Sequence, residues 1–97
     1  MTRIHTHPGE ILGDELEALG MSKNALAKAL GTDASRIGEI VAKRRGVSAD
    51  MAIRLAEYFD GAPDFWLTMQ ARHDLSVIET SKGSKIRRQV RKPDVAA

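Results

Sequence analysis

Two groups of side chains in this sequence have types and spacing suited to a polyanion. The first is Ala34, Ser35, Arg36 and Glu39, on successive turns of a short amphipathic segment. Taking Ile37 as zero on a helical wheel of about 100° per residue puts Ile40 and Val41 within about 60° of it, on an inward side. Ser35, Glu39 and Ala42 then lie opposite, and Arg36 shares a flank with Lys43. An outward face this narrow and polar fits a DNA major groove, which is about 12 Å wide and admits one helix. Arg36 is the strongest candidate reader, because a guanidinium can donate to guanine O6 and N7 together, worth about 1 to 3 kcal/mol of discrimination. Ser35 can serve a base or a phosphate, Glu39 can accept from cytosine N4 or orient Arg36, and Ala34 completes the set of base-contact positions. The second group consists of Ser22, Lys23 and Asn24 on one side and Lys43, Arg44 and Arg45 on the other, placed to hold phosphates across the groove.

Other reactive residues do not assemble into a catalytic set. His5 and His7 alternate in a flexible N-terminal arm and offer two metal ligands, with no carboxylate cluster to complete a site. His73 stands alone. Asp14, Glu15 and Glu17 read as a solvated helix face rather than a paired general acid and base, and no serine sits in a nucleophile elbow. The chain has no cysteine, which excludes a disulfide scaffold, an iron–sulfur cluster, a thiolate zinc site and a cysteine nucleophile. The expectation is a protein that is not an enzyme and needs no cofactor or metal.

Holding the groove-facing residues in place requires two helices that cross through a tight turn. Such a pair needs a small residue at closest approach, a left-handed residue at the turn, and aliphatic residues locking the second helix on the first. Ala27, Gly31, Ile37 and Ile40 fill these roles. The periodicity around them predicts five helices. The first starts at Pro8, has Glu10 in its first turn, turns Ile11, Leu12, Leu16 and Leu19 inward and stops at Gly20. The second is capped by Ser22, with Ala25, Leu26, Ala29 and Leu30 inward, and ends at Gly31; the third is capped by Thr32 or Asp33 and gives way to the basic loop Lys43 to Gly46. Ser48 and Asp50 open the fourth, whose stripe Ala52, Leu55, Ala56 and Phe59 ends at Asp60-Gly61. The fifth starts at Pro63 and carries Phe65, Trp66, Leu67 and Met69, with the pattern continuing to Leu75 and Ile78. Past Glu79 the periodicity fades.

With 97 residues there is room for one core. Hydrophobic residues make up 42% and aromatics 4%, with no β-branched runs, a balance that favours packed helices over a sandwich. The organisation expected is an arm at 1–7, a helical domain at 8–79 and a basic tail at 80–97 that is disordered alone. Residues 1–76 carry nine Lys/Arg against eleven Asp/Glu, while residues 77–97 carry six Lys/Arg against Glu79 and Asp94. An acidic body thus bears two basic patches, which suits nucleic acid or an acidic partner. Phe65, Trp66, Leu67, Leu75 and Ile78 exceed what one small core can cover and are expected to form a homodimer interface. No apolar stretch approaches the roughly 18 residues that cross a bilayer, and residues 1–9 lack a signal-peptide core, so a soluble cytoplasmic protein is expected.

Several of these segments together resemble the HigA-type antitoxins, a branch of the Cro/C1-like (XRE) helix-turn-helix family. The carriers are His-Pro-Gly-Glu-Ile-Leu at 7–12, Asn24-Ala-Leu-Ala-Lys-Ala-Leu-Gly31, Ser35-Arg-Ile-Gly-Glu-Ile-Val41, Arg45-Gly-Val-Ser-Ala-Asp50, and Pro63-Asp-Phe-Trp-Leu67 followed by Gln70 and Asp74-Leu75. The resemblance implies an all-α, five-helix, lambda-repressor-like domain. It also implies a dimer that binds double-stranded operator DNA, represses its own toxin–antitoxin operon and neutralises a RelE-like mRNA-cleaving toxin. A free-standing repressor without a toxin is the alternative, and a pure protein inhibitor that has lost DNA binding is a third reading. Thr32-Asp33-Ala34, Gly38 and His73 depart from the family pattern, which often has prolines, Asn and Tyr at those places.

Overall fold

The ends of the helices follow from local capping chemistry. The computed structural model describes residues 3–94, so Met1 and Thr2 of the expected arm and residues 95–97 of the expected tail lie outside the described residues. Helix α1, Pro8–Leu19, starts behind His7, whose Nδ1 accepts the Gly9 amide at 2.8 Å, and stops at Gly20, which takes the left-handed conformation at φ 60°. Ser22 caps α2, Lys23–Leu30, by accepting the Ala25 amide at 3.0 Å. Asp33, rather than Thr32, caps α3, Ala34–Val41, through the Arg36 amide at 2.9 Å. Ser48 caps α4, Ala49–Phe59, and Asp60 itself takes the left-handed turn at its end, at φ 59°. Helix α5, Pro63–Gln89, opens at the proline. All regular structure among the described residues is helical.

The core lies where α1 to α4 meet. Leu12, Leu26, Ile37, Ile40, Met51 and Leu55 are almost wholly buried, joined by Leu16, Ala27, Leu30, Val47, Ala52 and Trp66. Each fully buried aliphatic side chain of this size contributes about 1.5 to 3 kcal/mol. The inward stripe of α2 is narrower than periodicity suggests: Leu26, Ala27 and Leu30 are buried but Ala25 and Ala29 are exposed. Close approach to α3 is made at Ala27, which fixes the rotation of α2 and turns the flanking alanines outward. Leu19 likewise is 55% exposed, because α1 ends there.

Both termini correct the sequence-based expectation. The arm is not flexible at His5 and His7: the His5 amide donates to Ser76 Oγ at 2.9 Å, the His73 Nδ1–H donates to the His5 carbonyl at 2.7 Å, and His7 is buried with its ring edge-on to His73. The expected tail is helical to Gln89, although Ser81, Gly83 and Ser84 look like helix breakers. A bidentate pair from Arg87 to Glu79, at 2.5 and 2.6 Å, spans two turns directly over Gly83, and Ser81 Oγ donates back to the Val77 carbonyl. A side chain at residue 83 would occupy the place of the Glu79 carboxylate. The glycine therefore admits a crosslink that repeats of three and four residues do not reveal.

Candidate nucleic-acid interface

Helices α2 and α3 cross through the turn that the sequence predicts. Gly31 is left-handed at φ 71°, the Thr32 amide donates to the Ala27 carbonyl at 2.9 Å, and Ala27, Ile37 and Ile40 are buried. The side of α3 away from this packing bears Ser35, Glu39 and Ala42. Ser35 is exposed, its Oγ donating to Asp33 Oδ1 at 3.2 Å. That carboxyl is held below the usual range first by the Arg36 amide, so cap and serine are fixed together. Glu39 is partly exposed and pairs with Arg45 at 3.4 Å. Ala34 is half-buried against the core and leaves only part of its methyl at the surface.

Arg36 is held differently from the other candidates. It is half-buried, its Nη1 lies 3.5 Å from Thr32 Oγ1, and its Nε is buried with no hydrogen-bond partner. It is also near enough to Asp50 to help lower that carboxyl, after the larger effect of the Arg54 hydrogen bond. Part of the guanidinium is thus engaged on the flank of α3, and the exposed polar side chain closest to the helix start is Ser35. Gly38 has the Lys23 side chain above it, at 4.0 Å from where a Cβ would stand. The lysine side chain thus reaches from the start of α2 to the flank of α3, at a distance that a Cβ at residue 38 would also accommodate.

The phosphate candidates flank this face. Ser22, Lys23 and Asn24 share a shallow cleft with Ala34 and Val41 on the inner flank of α3, and Lys23 also reaches Gly38 on the flank that leads to the outward side. On the other side Lys43 takes a left-handed conformation at φ 65°, and the Arg44 and Arg45 amides both donate to the Glu39 carbonyl. Lys43 is paired loosely with Glu10 at 3.7 Å, whereas Arg44 is exposed with no ion pair among the described residues.

One residue that holds the interface in place has no role assigned from sequence. Gln70 of α5 is buried, and its Oε1 accepts the Val47 amide at 2.9 Å while its Nε2 donates to Asp74. Its amide also packs on Gly46, where a Cβ would meet it at 3.0 to 3.2 Å. A polar residue four positions after Trp66, on the inward side of α5, was the available signal.

The expected dimer residues do not share one surface. Trp66 is buried in the protomer's own core beside Phe59 and is not an interface residue. Leu67, Leu75 and Ile78 fall on one side of α5 by helical spacing. Phe65 points elsewhere, into a groove it lines with Ile11, Met69 and Arg72. Leu75 and Ile78 are 62% and 41% exposed. His7, offered from sequence as one of two metal ligands, has its Nδ1 occupied by the Gly9 amide. Among the described residues no group of three or more His, Cys, Asp or Glu side chains is placed to hold a metal ion. Nor is any described helix long and apolar enough to cross a membrane.

The helix-turn-helix family HTH_3 matches residues 12–66, which contain α2, the turn, α3 and the basic loop. The chain belongs to that family. Virulence-associated protein I of Dichelobacter nodosus is 52% identical over 79 residues, covering 80% of this chain and 73% of that protein. Among solved structures, an addiction module antidote protein of the HigA family from Coxiella burnetii superposes with a TM-score of 0.86 at 39% identity. It covers 94% of this chain and all of that one. Antitoxin HigA of Pseudomonas aeruginosa, determined with the higBA promoter, gives a TM-score of 0.84 at 42% identity over 92% of this chain and 97% of that one. The resemblance to HigA-type antitoxins read from the sequence is therefore shown, and so is the all-α, five-helix helix-turn-helix fold.

Proposed function

We propose that this chain is an antitoxin of the HigBA type. It binds operator DNA as a dimer, represses its own operon and neutralises a RelE-like mRNA-cleaving toxin in the cytoplasm. The observation that supports the DNA half is the outward side of α3 lying between Lys23, which reaches Gly38, and the Lys43–Arg45 loop, whose Arg45 pairs with Glu39. Likeness to an antitoxin solved with its promoter supports the antitoxin half. In this reading Ser35, Glu39 and the free part of the Arg36 guanidinium meet base edges, with Ala34 lining the approach. Ser22, Lys23, Asn24, Lys43, Arg44 and Arg45 hold phosphates. Two copies joined through Leu67, Leu75 and Ile78 place their α3 helices on half-sites about 34 Å apart.

The test co-expresses the chain with the product of the adjacent gene and scores growth rescue, co-purification and binding to the chain's own upstream DNA. Rescue, a stable complex and DNA binding are expected together. A neighbour that neither inhibits growth nor binds would leave a free-standing repressor. In a parallel assay, Arg36→Ala should lose operator discrimination while keeping toxin binding, and unchanged DNA binding would overturn the placing of α3 in the groove.

A further inference from the structure

We propose that the last turns of α5 form a second, sequence-independent nucleic-acid contact, in which Lys82, Lys85 and Arg88, followed by Arg91 and Lys92, hold phosphates beside the half-site read by α3. This rests on the DNA-binding reading above. Residues 80–92 contain six cationic side chains and no acidic one. Arg87 is neutralised by Glu79, which leaves five, and none of those five has an ion pair among the described residues. Nothing in the body covers this segment: every residue from 80 to 94 is exposed except Gly83, which is hidden under the Glu79–Arg87 pair. Because the segment is helical to Gln89, Lys82, Lys85 and Arg88 recur every three residues along one strip.

The kind of partner follows from what the strip lacks. A protein interface requires an apolar centre that excludes water, and Ile86 lies about 100° or more around the helix from Lys85 and Arg88, while Lys82 borders the apolar side, about 40° from Ile86. A phosphate backbone needs only cations, since its binding free energy comes from displaced counterions. Position points the same way. Helix α5 is fastened to the basic loop by Gln70 and Val47, and at 1.5 Å per residue Lys82 and Arg88 lie about 18 and 27 Å further along it. That separation is shorter than the roughly 34 Å between half-sites.

The experiment compares the full-length chain with the triple variant Lys82→Ala, Lys85→Ala, Arg88→Ala, in which alanine preserves helicity as checked by circular dichroism. Binding to the chain's upstream DNA and to a scrambled duplex of equal length is followed by fluorescence anisotropy over a salt series. The variant should weaken on both duplexes alike, and the slope of log K against log salt should fall by about 2 to 3. An unchanged slope with wild-type operator affinity would overturn the proposal while leaving the α3 reading intact. So would a variant whose only loss is binding to the toxin or to vesicles containing anionic lipid. Failure of the wild-type chain to bind its upstream DNA at any salt would remove the DNA-binding reading itself.

Discussion

At the scale of single residues, two positions near the start of α1 determine how the N-terminus meets the core. His7 is neutral when its Nδ1 accepts the Gly9 amide, and its pKa is lowered first by burial and then by the neighbouring His73. A histidine kept neutral in the folded state binds fewer protons than in the unfolded chain, so stability falls as pH drops below about 6.5 and continues falling until the folded-state pKa is passed. His7→Asn retains a capping oxygen without a titrating ring, and its melting temperature should depend less on pH between 7 and 5 than that of the wild type. Thermal denaturation at several pH values checks this. Gly9 lies against the Ile40 carbonyl so closely that an added Cβ would overlap backbone. Gly9→Ala should therefore destabilise by about 1 to 3 kcal/mol or more. Gly13→Ala, whose Cβ would stand at an ordinary 3.4 Å from Val41 Cγ1, should be neutral or stabilising by up to about 1 kcal/mol. Urea titration of the two variants distinguishes them.

At the scale of elements, most of what was legible in the sequence is chemistry within a few residues of itself. Pro8, Gly20, Ser22, Gly31, Ser48 and Pro63 mark helix ends because capping and backbone freedom are local properties. Ala27, Ile37 and Ile40 were legible because the crossing of two adjacent helices restricts residue size at fixed offsets. The missed features are long-range or span more than two helix turns: the Gln70 brace, the His5–Ser76 bond, the covering of Gly83, and the burial of Trp66, which sets it apart from the exposed residues proposed for the dimer contact. The site was legible in part. Its residue types and its outward face followed from the wheel, but the half-buried setting of Arg36 depends on Thr32 and on α4, which no wheel contains. The brace yields a prediction at this scale. Gln70→Ala leaves the buried Val47 amide without an acceptor, which costs about 1 to 3 kcal/mol, and frees the loop that carries Arg44 and Arg45. Lower stability should appear together with weaker binding to every DNA sequence, whereas a stable variant with full DNA affinity would show that the loop holds its shape unaided.

At the scale of the whole molecule, the shape bears on the proposed dimer. The molecule measures 59 × 25 × 20 Å, and its second half of α5 presents Leu75 and Ile78 beside the apolar Ile86. Leu75→Asp should convert a dimer to a folded monomer, read as a halved mass by light scattering with the circular dichroism spectrum retained. Because one copy then reaches only one half-site, operator affinity should fall steeply with it. The bonds from His5 to Ser76 and His73 have a further consequence. They join points 71 and 68 residues apart in the chain, so they close long loops and carry a large closure entropy. Contacts of that separation form late in refolding and open early in native fluctuations. The amide proton of His5 should exchange with solvent well before those of α2 and α3, and would report the detachment of the N-terminal arm from α5 while α3 remains folded.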